Sequence, residues 1–126
     1  MADPQEILIV DPQPGAGDLM AVKLKKSGYA VTVTSTIGGA IQALARLDKP
    51  YAAVLVHIHR DTKGLSAFPQ QVKTLPKLAA QPFLVGYASR GDGKALELAH
   101  QSGFQDSFFK PIEQAELIKL VKKWLP

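Results

Sequence analysis

Short apolar runs and longer amphipathic stretches alternate along the chain. Ile7-Leu8-Ile9-Val10 is an uninterrupted apolar run, mostly β-branched, that ends at Asp11-Pro12, the pattern of a strand buried on both faces of a parallel sheet. Pro14 and the Gly15-Ala16-Gly17-Asp18 cluster then open a helix carrying Leu19, Met20, Val22 and Leu24. It stops at Ser27-Gly28 after three lysines. Ala30 to Thr34 alternates as a half-covered edge strand does. Ile37, Ala40, Ile41 and Leu44 fall at i, i+3, i+4 and i+7, one stripe of an amphipathic helix ending near Asp48-Lys49-Pro50.

The pattern then repeats. Ala52 to Val56 reads as a third strand, followed by a polar loop from His57 to Gly64 and a helix that Pro69 can start but not occupy internally. After Pro82, Phe83 to Tyr87 forms a fourth strand and Arg90-Gly91-Asp92-Gly93 a turn, with Asp92 offering its carboxylate to the free N–H groups of the helix that follows. Ala95, Leu98 and Ala99 mark that helix, and Gly103 caps it. Phe104 to Phe109 is a fifth strand, and after Lys110-Pro111 the last helix sets Leu117, Val121 and Trp124 on one face, widened by Ile118 and Leu125. Five strands alternating with five helices predict a doubly wound α/β fold, an open parallel sheet with helices on both faces. In such a sheet function gathers at the carboxyl ends of the strands, near the reversal of strand order. That singles out Asp11, His57, Tyr87 and Lys110, each read as lying just past a strand.

Composition narrows the class. A chain of 126 residues has room for one core, so residues 1–126 are expected to form a single domain. Hydrophobic residues at 46% and charged residues at 21% fit a packed globular chain and argue against disorder. The absence of cysteine excludes disulfides and thiolate metal sites and fits a reducing compartment, so the cytoplasm is expected. Apolar runs are too short to span a bilayer and the N-terminus is polar and acidic, so neither membrane insertion nor a signal peptide is expected. The net charge of +4 is dispersed. Its small clusters, Lys23, Lys25, Lys26 and Lys119, Lys122, Lys123, suit helix C-termini. The aromatics Phe104, Phe108, Phe109 and Trp124 fit a core better than a base-stacking platform, so direct nucleic-acid binding is not expected.

Four segments carry a resemblance: Ile7 to Pro14, the Val54-Leu55-Val56 strand with its loop to Gly64-Leu65, Pro82 to Ala88, and Asp106-Ser107-Phe108-Phe109-Lys110-Pro111. In order and spacing they are similar to the signature regions of response-regulator receiver domains of two-component signalling, and the likeness covers nearly the whole chain. It implies the (βα)5 flavodoxin-like three-layer sandwich with strand order 2-1-3-4-5, and a cis bond at Lys110-Pro111. Active receivers hold Mg²⁺ on three carboxylates, one of them the phosphoryl acceptor, with a small hydroxyl residue and a lysine on the phosphoryl oxygens. Here Asp11 matches the first acid, but Pro12 stands where the second belongs and His57 stands at the acceptor. Tyr87 replaces the small hydroxyl residue and should fill the phosphoryl space, Ser107 replaces the aromatic switch, and Lys110 is kept and should pair with Asp11. The resemblance is therefore to a degenerate receiver with no cofactor and no enzymatic activity.

One carboxylate opposite one lysine leaves almost no net negative charge for a hard cation such as Mg²⁺. A transition-metal site at Asp11, His57 and His59 is the sharper alternative, since alternate residues on a strand share a face, although the chain normally turns there. His100 lies among polar neighbours and reads as a surface residue. Three readings follow. The first is a phosphorylation-independent protein-interaction module, docking a signalling partner or a second copy through the fourth helix, fifth strand and last helix, where Lys94, Glu97, Gln101, Ser107, Lys119 and Lys122 lie. The second is small-molecule or metal binding at the vacated site. The third is a piece of a longer regulator or kinase.

Overall fold

The computed structural model describes residues 5–13, 15–45, 51–59, 65–75 and 82–125. Its elements run β1 (Glu6–Val10), α1 (Ala16–Lys25), β2 (Ala30–Thr34), α2 (Ile37–Ala45), β3 (Tyr51–His57), α3 (Phe68–Thr74), β4 (Phe83–Ser89), α4 (Gly93–Ser102), β5 (Asp106–Lys110) and α5 (Gln114–Trp124). The strands form one parallel sheet in the order β2-β1-β3-β4-β5, as the sequence led us to expect. Order reverses between β1 and β3, which places a crevice at their carboxyl ends.

Alternation along the strands sorts the core into two layers. Leu8, Val10, Val54, Val56, Leu84 and Ala88 pack against α2, α3 and α4, through side chains such as Leu44, Phe68 and Ala99. Ile7, Ile9, Leu55, Val85, Tyr87 and Phe108 pack against α1 and α5, through Met20, Leu24, Leu117, Val121 and Trp124. The central strands are continuous apolar runs because each face is covered by a helix layer. Two glycines meet local demands. Gly17 brings α1 close to β2, where a Cβ would sit 2.7 Å from Val33 Cγ1, and Gly103 ends α4 at φ 109°, a left-handed conformation that suits glycine.

Several boundaries differ from the sequence reading. β3 extends to His57, β4 to Ser89 and β5 to Lys110, while Phe104 precedes β5. His57, Tyr87 and Lys110 are thus strand residues, and Asp11 is the one of the four that lies just past a strand. The ladder continues there because β3 and β4 remain in register through His57 and Tyr87, and β4 and β5 through Ser89 and Lys110. On α1 the buried side is Gly17, Met20, Ala21 and Leu24, and Leu19 and Val22 point outward at 70% and 49% exposure. The proposed end of the second helix at 48–50 and most of the loop after β3 lie outside the described residues.

Candidate functional site

Strand register builds the site. Val10 pairs with Val56, His57 with Tyr87 and Tyr87 with Phe108, so Asp11, His57, Tyr87 and Phe108 form one row across four strands. Alternation puts the row on the α1/α5 side, one step beyond Ile9, Leu55 and Val85. Tyr87 is fully buried and its hydroxyl donates to Asp11 Oδ2 at 2.7 Å. β4 and β1 flank β3, so the tyrosine side chain and this bond together bridge two strand spacings, about 9.5 Å, past the strand that carries His57. The Tyr87 ring stacks on Phe108 at 5.3 Å between centroids and meets the His57 ring edge-on at 5.4 Å.

Lys110 closes the row from the far side. Its Nζ lies 3.7 Å from Asp11 Oδ2 and 5.8 Å from the Tyr87 ring centre, and it donates to Gln13 Oε1 at 2.9 Å. The Gln13 N–H donates to Asp11 Oδ1 at 2.9 Å, an Asx turn of the kind that aspartate forms with the backbone two residues on. Gln13 is the participant that sequence reasoning did not assign; its signal was that turn spacing, Asp11-x-Gln13. The Lys110-Pro111 bond is cis. Pro12 is exposed beside Asp11 and contributes no side-chain donor or acceptor.

His57 is the exception in an otherwise satisfied cluster. It is 6% exposed, and neither ring nitrogen has a hydrogen-bond partner. Burial, and then the Lys110 ammonium, hold the imidazole below its ordinary 6.5, with Asp11 pulling the other way. The Tyr87 hydroxyl is pushed above the ordinary tyrosine range, first by burial and then by donating to the Asp11 carboxylate. Tyr87 therefore keeps its proton and is the donor in that bond.

These residues do not fit Mg²⁺. Asp11 is the one carboxylate in the row, both of its oxygens already accept hydrogen bonds, and an ammonium stands beside it. Among the described residues no group of three His, Asp or Glu is placed to hold a metal ion; His57 is buried, while His59 is exposed beyond the strand. An open groove of about 480 Å³ adjoins Asp11 on the β2 side, lined with Gln13, Asp18, Thr34 and Ser35 among others. On the opposite flank Lys94, Glu97, Gln101, Lys119 and Lys122 are exposed and Ser107 is half-buried. Asp92 caps α4 by accepting from Ala95 N–H at 3.3 Å.

No protein-family model matches the chain. It is 33% identical over 123 residues to the uncharacterised 14.6 kDa protein in the sodA1 3′ region of Leptolyngbya boryana, an alignment covering 94% of this chain and 88% of that one. Among solved structures it is similar to a CheY-like response-regulator receiver domain from Methylobacillus flagellatus, with TM-score 0.79, 24% identity and coverage of 96% and 98% of the two chains. It is also similar to the receiver domain of a Pseudomonas aeruginosa sensor histidine kinase, solved with magnesium coordinated in its active-site cleft. That match has TM-score 0.80, 22% identity and coverage of 96% and 97%. The chain thus belongs to one family with the Leptolyngbya boryana protein, and it has the fold of response-regulator receiver domains.

Proposed function

We propose that the chain is a signal-transduction module that works by protein contact, without phosphoryl transfer. The observation that carries this is the state of Asp11. Its oxygens are taken by the Gln13 N–H and the Tyr87 hydroxyl, and the position of the phosphoryl acceptor holds a buried imidazole. Phosphoryl transfer needs a metal-held, in-line oxygen nucleophile, and the row offers neither the metal site nor that oxygen. The fully buried Tyr87 ring fills the space beside Asp11 where a phosphoryl group would sit. A signalling partner or a second copy would then be met by surface side chains, with Lys94, Glu97, Gln101, Lys119 and Lys122 forming the polar face on α4 and α5, and Ser107 between them on β5. No described helix is long and apolar enough to cross a membrane.

The test is intact mass after incubation with Mg²⁺ and acetyl phosphate. The expected mass is unchanged, and thermal melting with Mg²⁺ and beryllofluoride should show no shift; a stoichiometric, Mg²⁺-dependent gain of one phosphoryl group ends this reading. The groove beside Asp11 supports a second reading, small-molecule binding at the vacated site, because its size falls within the ordinary range of ligand pockets.

A further inference from the structure

His57 is buried with two unpartnered nitrogens, on the strand between those that carry the two ends of the Tyr87–Asp11 hydrogen bond and edge-on to the Tyr87 ring. Buried polar atoms are almost always paired, so an unpaired set asks for a reason. The geometry supplies one. The groups able to accept from this ring, the Asp11 carboxylate and the Tyr87 oxygen, are engaged with each other. We propose that the Tyr87–Asp11 hydrogen bond is an acid-released latch, opened when a proton taken up by His57 draws the Asp11 carboxylate from the tyrosine hydroxyl to the imidazolium.

The proton comes from solvent and stays on the ring; Tyr87 keeps its own, and no covalent bond changes. Among the described residues, the charged or titratable groups that bear on the ring are Asp11 after β1, Tyr87 from β4, Lys110 from β5, His59 just beyond β3 and Asp92 at the start of α4. Lys110 and His59 oppose the proton, and Asp11 and Asp92 favour it. Near neutral pH the ring is neutral and the latch closed. On acidification an imidazolium in this setting needs a carboxylate, and Asp11 is the one in its row. Freed from Asp11, the Tyr87 hydroxyl needs a new partner and the Lys110 ammonium, still bonded to Gln13, loses its counter-ion, which moves the carboxyl ends of β4 and β5. The input to the module is then a proton at the position where the receiver fold otherwise carries a phosphoryl acceptor. This regulation rests on the reading of the chain as a contact module without phosphoryl chemistry.

The experiment is a pH titration of the isotopically labelled full chain by NMR, following the His57 ring protons and the backbone amides. The expected result is one midpoint, below 6.5, shared by His57 and by the amides of Tyr87 and Lys110 while the rest of the spectrum stays dispersed. Tyr87→Phe keeps the ring and frees Asp11, so it should raise the midpoint by about one pH unit. Asp11→Asn should lower it, and His59→Gln should raise it by less than Tyr87→Phe. An unchanged or lowered midpoint in Tyr87→Phe overturns the latch, as does collapse of the whole spectrum in step with His57. These outcomes are read without a phosphodonor, so they are separate from the mass test: a phosphoryl gain removes the contact reading while the titration still decides the latch.

Discussion

Two aspartates at opposite ends of the sheet carry nearly the same set of partners. Asp11 accepts from an aromatic hydroxyl at 2.7 Å and a backbone N–H at 2.9 Å, with a lysine at 3.7 Å. Asp106, at the start of β5, accepts from the Trp124 indole N–H at 2.7 Å and the Ser107 N–H at 2.8 Å, with Lys123 at 3.6 Å. Their surroundings differ. The Asp11 side chain is 1% exposed and its lysine 20%, whereas Asp106 is 25% exposed and Lys123 70%. The first cluster joins three strands across a buried histidine; the second clips α5 to the edge strand within reach of water. The same donors therefore stabilise a clip in one place and build a constrained, titratable site in the other, because water can replace lost partners at Asp106 and cannot at Asp11.

The largest expected consequence is in truncation. Asp11→Ala leaves a buried tyrosine hydroxyl without its acceptor and a largely buried ammonium without its counter-ion and should cost about 3 kcal/mol. Asp106→Ala, at a carboxylate 25% exposed and bordered by solvent, should cost about 1 kcal/mol. Equilibrium urea unfolding of both variants reads the difference, and equal losses would erase the distinction between the sites.

A smaller effect separates the two clusters by pH. His57 has its folded value below 6.5, so below 6.5 the unfolded chain binds the proton more readily and stability falls with pH until the folded value is passed. One proton allows a slope of at most about 1.4 kcal/mol per pH unit. For Asp106, burial alone would raise the carboxyl, but Trp124, Ser107 and Lys123 together hold it below 3.8. Its contribution is complete above 3.8 and is lost only as pH falls through the lower folded value. Unfolding measured from pH 7 to 5 should therefore show a decline that His57→Leu flattens and Asp106→Asn leaves in place. A decline unaltered in His57→Leu would assign it to other groups.

The smallest effect belongs to the exposed ion pair. Lys123→Ala should change stability by no more than about 0.5 kcal/mol, with the change shrinking further in salt, because solvent screens the pair. A loss as large as that of Asp11→Ala would mean that burial does not govern the comparison.

The sheet was legible because its central strands β1 and β3 carry long apolar runs. Ile7 to Val10 and Ala52 to Val56 leave no room for a solvent-facing side, and the helical stripes of α4 and α5 appear in the structure on the faces their spacing implies. Less visible was α1. Leu19, Met20, Val22 and Leu24 read together as its apolar residues, yet only Met20 and Leu24 turn inward, with Gly17 and Ala21, while Leu19 and Val22 face outward. At the site, the residue types Asp11, His57, Tyr87 and Lys110 could be picked from their positions after each apolar run. Gln13 could not, since its role depends on where Lys110 arrives from the far end of the chain. The clip at Asp106 was equally hidden, because its indole partner comes from the end of α5, 18 residues away.

The amino-acid pattern by itself determined the order of strands and helices along the chain and the parallel sheet, since both follow from local periodicity and the alternation of element types. Only the tertiary structure decided which side chains meet. Register places Asp11, His57, Tyr87 and Phe108 in one row, and the span of a tyrosine carries its hydroxyl past the intervening strand to the carboxylate, while the histidine on that strand has no hydrogen-bond partner. Such contacts depend on distances between segments far apart in the chain, and those distances are fixed when the two layers pack around the sheet.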